Sequence, residues 1–252
     1  WSWKANGGTG ASNSNGSITS TVSANTTAGF SIVSWTGNGT GGATVGHGLG
    51  AVPGMIIMKN LTENSRQWQI YHRSLNNGTN PEVKYLEFNT NGELDDAGSF
   101  YDTAPTSSVF TLGSSNRGNE NTKSFIGYCF AEKKGYSKMG VYIGNGNANG
   151  TFVFCGFKPA FTMIKRISGN DNFALYDNRR PGRNPNDAAL RANLADAEYG
   201  GTQGVDFLSN GFKARQNDGE FNNSGETYVF MAFAEEPLVA NVGTNGIPNT
   251  AR

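Results

Sequence analysis

Charge is scarce in this chain, and it is balanced. Only 16% of the 252 residues are Asp, Glu, Lys or Arg, and the formal net charge is zero; an ordinary soluble domain has about a quarter charged. No basic stripe is available to neutralise phosphates, which argues against nucleic acid as a partner. The polybasic route to a membrane surface is missing as well. No apolar run approaches the roughly 18–20 residues that cross a bilayer, so membrane insertion is not expected, and no signal peptide is visible. The chain opens on Trp1 rather than Met, which reads as the C-terminal part of a longer protein or as a processed product.

Histidine and cysteine are equally rare, with two of each. A metal centre wants three or four converging ligands, and His47, His72, Cys129 and Cys155 lack that spacing. No metal and no cofactor is expected. Each cysteine sits in an apolar β-type run and reads as a small buried hydrophobe, with a disulfide left open until geometry is known. His47 stands in the tight turn His47-Gly48-Leu49-Gly50 and His72 ends an apolar run; both read as structural.

Nucleophile and phosphate motifs are also missing. There is no Gly-x-Ser-x-Gly. The Gly-rich stretches 37–42 and 146–150 lack the Lys-Ser/Thr and the following helix of a phosphate loop. They read as hairpin turns, with Asn38 and Asn145 in left-handed conformations. Asp95-Asp96, Glu235-Glu236 and Asp102 are the carboxylates to test for glycoside hydrolysis, which needs two carboxyls roughly 5–10 Å apart. Neighbours on a strand point to opposite faces, so neither doublet forms the pair by itself. Glu132 and Glu235 read as solvated charges at strand ends. No catalytic residue is assigned.

What the chain does have is glycine, 35 residues of it, much asparagine, and a repeat of domain size. Trp35-Thr-Gly-Asn-Gly39 returns as Tyr142-Ile-Gly-Asn-Gly146, an offset of 107. Pro53–Lys59 returns as Pro159–Lys165 at 106, Ile70–His72 as Leu175–Asp177 at 105, and Phe125–Glu132 as Tyr228–Glu235 at 103. Four blocks in the same order with a drifting offset indicate a duplicated scaffold, well beyond the 20–50-residue period of solenoids. The repeated blocks are apolar β-type runs and their turns.

Strands are expected at 17–23, 30–35, 55–59, 68–72, 84–89, 109–112 and 125–131, separated by Gly/Asn/Asp/Ser clusters, a sandwich pattern. The fold class is all-β: two related β-sandwich-like units, 29–138 and 139–237, with an extended N-terminal arm over 1–28 and a polar C-terminal tail over 238–252. One stretch conflicts. Residues 187–199 are Ala-rich and read locally as a short helix behind Asn186, but alignment with 86–89 favours a strand at 188–192 and a helical turn at 196–199.

Aromatic residues beside Asn and Asp are what sugar rings stack on. Trp1, Trp3, Tyr101, Tyr136 and Tyr199 are the candidates for glycan or partner contact; Trp35 and Trp68 read as core. Arg179, Arg180 and Arg183 form the single basic cluster, suited to an anionic polysaccharide or to a neighbouring subunit's carboxylates.

Longer strings carry a resemblance. Phe30-Ser-Ile-Val-Ser-Trp-Thr-Gly-Asn-Gly-Thr40, His47-Gly-Leu-Gly-Ala-Val-Pro-Gly-Met-Ile-Ile-Met-Lys59, Trp68-x-Ile-Tyr-His-Arg73, Pro105–Ser114, Cys129–Lys133, Gly156–Ala160, Asp206–Phe212 and Thr250-Ala-Arg252 resemble a domain of tailed-phage virion proteins, frequent in marine and cyanobacterial phages. The resemblance covers nearly the whole chain. It implies a location in the virion, typically in a tail fibre or other appendage, and brings no catalytic residues with it. The expectation is a non-enzymatic structural module that binds the host surface, associated with sister copies as a homotrimer, with other virion proteins and with a host surface glycan. The alternatives are a decoration protein coating a capsid or filament lattice, and a host-polysaccharide depolymerase.

Overall fold

The computed structural model describes residues 2–96, 98–200, 204–235, 239–242 and 245–248. Contacts divide it into two compact units, one of Ser2–Glu132 and one beginning at Lys133. Strand dominates both, as the β-branched and aromatic runs dictate.

The first unit holds β1 (Ala11–Asn13), β2 (Ser20–Asn25), β3 (Phe30–Thr36), β4 (Ala43–Gly46), β5 (Met55–Asn60), β6 (Gln69–His72), β7 (Lys84–Glu87), β8 (Leu94–Asp95), β9 (Val109–Leu112) and β10 (Ser124–Phe130). Eight form one antiparallel sheet in the order β1-β2-β3-β10-β5-β6-β7-β8, and β4 pairs with β9 in a second. Ile56, Met58, Val33 and Phe125 from the large sheet meet Val45, Phe110 and Leu112 from the small one in a single core. The N-terminal segment is not a free arm. Ile18 and Val22 are buried in that core, which draws β2 onto the edge of β3 with Val22 opposite Val33.

The second unit holds β11 (Ser137–Ile143), β12 (Phe152–Phe154), β13 (Pro159–Arg166), β14 (Phe173–Asp177), β15 (Leu190–Arg191), β16 (Val205–Leu208), β17 (Gly211–Ala214) and β18 (Thr227–Ala234). Five make the sheet β11-β18-β13-β14-β15 and three the sheet β12-β17-β16. Of the C-terminal tail, β19 (Val239–Val242) and β20 (Asn245–Pro248) form an antiparallel hairpin.

The order β3-β10-β5-β6-β7 and the order β11-β18-β13-β14-β15 are the same path. Registers match as well. Gly127 of β10 lies opposite Val33 and Met58, and Phe230 of β18 opposite Gly140 and Ile164. The glycine has changed strands. In the first unit it lies under the Trp35 ring; in the second, Gly140 lies under Phe230. One large and one small group fill each place, which conserves packed volume.

The expected helical turn at 196–199 is not formed. Tyr199 instead pairs with Ala189 as an antiparallel bridge, so this stretch folds back along the strand, and local propensity gives way to sheet pairing.

The Gly-Asn-Gly segments are not hairpin turns either. Each carries the chain from the large sheet to the small one, because β3 pairs with β2 and β10 while β4 pairs with β9. The left-handed residues are Gly39 (φ 70°) and Gly146 (φ 64°), not Asn38 or Asn145. Each segment is clasped by a fully buried asparagine from the loop before β10 or β18. The Oδ1 of Asn119 accepts the Asn38 N–H at 2.9 Å, and its Nδ2 lies 2.9–3.1 Å from Asn38 Oδ1, Thr40 O and Gly113 O. The Oδ1 of Asn222 accepts the Asn145 N–H at 3.1 Å, and its Nδ2 lies 2.9–3.2 Å from Asn145 Oδ1, Asn147 O and Gln216 O. The approach is so close that a Cβ on Gly37 or Gly144 would stand 2.3 Å from a carbonyl oxygen, Glu120 O in one unit and Asn223 O in the other.

The clasp predicts a specific sensitivity. Asn119→Ala and Asn222→Ala each leave enclosed carbonyls and an N–H unpaired, at about 1–3 kcal/mol per group. Urea unfolding should show both variants destabilised by at least that much, whereas exposed Asn147→Ala should shift the midpoint little.

Candidate functional site

The described aromatic candidates from the sequence are divided between the two units, Trp3 and Tyr101 in the first and Tyr136 and Tyr199 in the second. Trp3 is half-buried and packs edge-on against Phe130 at 5.4 Å. Tyr136 is half-buried and meets Phe233 edge-on at 5.8 Å. Both are therefore packing groups rather than open platforms. Tyr101 is exposed and lies beside Gly41 and Gly42; Tyr199 is exposed with the Arg191 guanidinium over its ring at 5.0 Å. Trp1 lies outside the described residues. Trp35 is core as expected, stacked on Phe125 at 5.5 Å, and Trp68 is half-buried against Tyr128.

The basic turn holds the more informative geometry. Arg179 pairs with Glu235. Arg180 binds Asp177 at 2.5 Å and Glu198 at 3.0 Å. Arg183 binds Asp187 at 2.9 Å. Each arginine thus has its own carboxylate, and the cluster is close to neutral. Asp177 is held below the usual carboxylate range by its bonds from Arg180 and from the Arg179 and Arg180 backbone, which outweigh the opposing effect of burial.

This turn forms one wall of a cavity of about 320 Å³, within the size range of small-ligand sites. Its lining includes Lys158, Asn178, Arg183, Asn184, Asn186 and Phe207. Three stretches of chain meet there: the turn before β13, the loop after β14 and strand β16. Asn184 is locked to Phe207, giving its Nδ2 to the Phe207 carbonyl and accepting the Phe207 N–H, both at 3.0 Å. Lys158 is exposed and has no ion-pair or hydrogen-bond partner among the described residues. Asn178 and Asn186 donate through Nδ2 to Glu235 and to the Asp177 carbonyl, while their enclosed Oδ1 atoms receive no hydrogen bond. Sequence reasoning found Arg183 and missed Lys158 and the asparagines. The available signal was the repeat, where Lys158 stands in place of Val52 and Asn178 in place of Arg73.

Four of the carboxylates weighed for hydrolysis, Asp95, Asp96, Glu132 and Glu235, are engaged elsewhere. Asp95 pairs with Lys84 at 2.5 Å. Asp96 accepts the N–H groups of Ser99 and Phe100, and burial pushes its carboxyl above the usual range. Glu132 pairs with Arg73 at 3.0 Å, and Asp102 is exposed. Glu236 lies outside the described residues. The strand-end charges are thus half of ion pairs rather than simply solvated. Both cysteines are free, buried thiols, each pushed up to about 12 by burial. Among the described residues no cluster of three or more His, Cys, Asp or Glu is placed to hold a metal ion.

The histidines are turn supports. The Leu49 N–H donates to His47 Nδ1 at 3.2 Å, so the ring proton sits on Nε2 and points to the Thr106 carbonyl at 3.2 Å. The Ser74 N–H donates in the same way to His72 Nδ1.

A family model described as a domain of unknown function (DUF7483) matches residues 1–237, and the chain belongs to that family. No curated protein and no solved structure matches it.

Burial lowers the pKa of His47 below its ordinary value of 6.5, outweighing the Thr106 hydrogen bond. The unfolded chain therefore binds the proton more readily than the native one. Stability from this site is fully present above about pH 6.5 and is lost as the pH falls through that value and below. Thermal unfolding from pH 7.5 to 5.5 should show a falling midpoint, and His47→Gln should flatten that slope. An equal slope in both proteins would contradict the assignment.

Proposed function

We propose that this chain is a non-enzymatic structural module of a phage virion appendage, and that it contacts the host surface through the cavity of its second unit. The single observation that carries the reading is that cavity. Its lysine has no ion-pair or hydrogen-bond partner among the described residues and two of its enclosed amide oxygens receive no hydrogen bond, and the matching positions of the first unit carry Val52 and Arg73. The strands and the asparagine clasp are common to both units, so they belong to the scaffold. The cavity residues are particular to one unit, and that is where a ligand contact is expected. The resemblance of the long strings to tailed-phage virion proteins supports the location. The ion pairing of Asp95 with Lys84, Glu132 with Arg73 and Glu235 with Arg179 supports binding over hydrolysis, since each of these carboxylates is taken up by a cation of its own.

Self-association as a homotrimer is part of the proposal. Its support is the exposure of large apolar side chains on two edge strands of the second unit, Val141 and Ile143 on β11 and Phe152 and Phe154 on β12. Apolar side chains left exposed on sheet edges are what a sister chain would cover.

Gold-labelled antibody against the chain, viewed on intact particles by electron microscopy, tests the location. The proposal expects label at the distal ends of tail appendages. Label spread evenly over the capsid or along a filament would overturn it in favour of a lattice-coating role. Incubation with surface polysaccharide should release no reducing ends; measurable release would replace the binding reading with a depolymerase.

A further inference from the structure

We infer that the second unit's cavity binds one acidic sugar residue of a polysaccharide, with a hexuronate carboxylate at Lys158. The inference rests on the host-surface reading above and supplies the ligand class for the same site.

Charge sets the first constraint. Arg179, Arg180 and Arg183 each face their own carboxylate, so together they offer no net positive charge. Lys158 is the cation of the lining that lacks a partner among the described residues. One uncompensated ammonium, a compact point charge, matches a monoanion such as a carboxylate. A phosphate dianion would demand a second unpaired cation or a helix N-terminus, and the other cation among the lining residues, Arg183, is paired with Asp187.

Hydroxyl groups set the second. The Oδ1 atoms of Asn178 and Asn186 are enclosed and receive no hydrogen bond, and an enclosed acceptor without a donor is a cost that native structures rarely leave standing. Asn186 is buried almost completely. Adjustment of either amide toward an occupant lets a ring hydroxyl donate to it. A simple carboxylate such as acetate has no such donor; a pyranose has several. A carboxylate and several hydroxyls together describe a sugar acid.

The first unit provides an internal control. Val52 occupies the place of Lys158 and is exposed. Arg73, in the place of Asn178, is bound to Glu132. The same scaffold therefore carries no free ammonium beside an unpaired amide there.

Isothermal titration of the full chain with oligomers of polygalacturonate and of alginate, with carboxyl-reduced oligomers of each, and with dextran tests the inference. At least one acidic oligomer should bind. Its carboxyl-reduced form and dextran should bind roughly tenfold more weakly or worse. Lys158→Gln should lose about tenfold in affinity with its thermal midpoint unchanged, Lys158→Arg should retain binding, and Lys213→Gln, which alters a cation outside the lining, should behave as the parent. Equal binding of acidic and reduced oligomers, no binding of either acidic oligomer, or an unaffected Lys158→Gln would overturn the inference. The appendage reading is decided separately by the position of the gold label, so the two can fail independently.

Discussion

Each unit depends on an asparagine that has no access to water. A two-sheet sandwich must send its chain from one sheet to the other, and the crossing backbone carries N–H and C=O groups that the sheet ladders do not satisfy. Asn119 and Asn222 meet that need with a side chain that donates and accepts at once. Each satisfies the N–H after the first glycine and carbonyls on both sides of the crossing, and the backbone carbonyl of each accepts the N–H of Gly39 or Gly146. An aromatic pair anchors the same place. The indole Nε1–H of Trp35 donates to the Gly118 carbonyl at 3.2 Å, and the Tyr142 hydroxyl donates to the Phe221 carbonyl at 2.6 Å. Those carbonyls belong to the residues just before the two clasp asparagines. The core aromatic, the crossing and the loop before the central strand are thus tied at one point, once in each unit.

Around that point the units share the scaffold and differ in their loops. Both stack the crossing-strand aromatic on a central-strand aromatic and set a third ring edge-on: Trp35 with Phe125 and Phe110, Tyr142 with Tyr228 and Phe212. The lysines that follow the β5 and β13 runs also do parallel work. Lys59 donates to the Asn64 carbonyl of its following loop, and Lys165 donates to the Asp171 carbonyl at 2.6 Å. Lys165 is buried, which lowers its pKa to about 8. The units part at Val52 and Lys158 and in the loops after β6 and β14, and in the second these are the stretches that line the cavity.

Much of this was legible in the sequence. Apolar runs of four to eight residues broken by Gly and Asn place β3, β5, β9, β10, β13 and β18 within a residue or two of their observed ends, because burial on the core face leaves little choice of residue. The repeat offsets carry the pairing registers of the central strands from one unit onto the other. The clasp was not legible from the residue alone, since an Asn in a polar loop looks solvated. Its signal lay in the alignment of Asn119 with Asn222, at the same offset of 103 as the following strand. The stretch 187–199 misleads because Ala and Leu favour a helix locally, while Ala189 and Tyr199 find each other in a bridge. The cavity is assembled from residues 158, 178–186 and 207, and no spacing along the chain announces such a meeting.

Hydrogen exchange at single-residue resolution tests the clasp most directly, because it reads the N–H groups that the asparagines are said to hold. The amides of Asn38, Gly39, Asn145 and Gly146 lie in Gly-rich segments outside any strand, where open loops exchange quickly. The account predicts that all four exchange as slowly as the amides of the central strands β10 and β18. Exchange at the rate of an open loop in either unit would show that its crossing is not held by the enclosed asparagine, and would contradict the account.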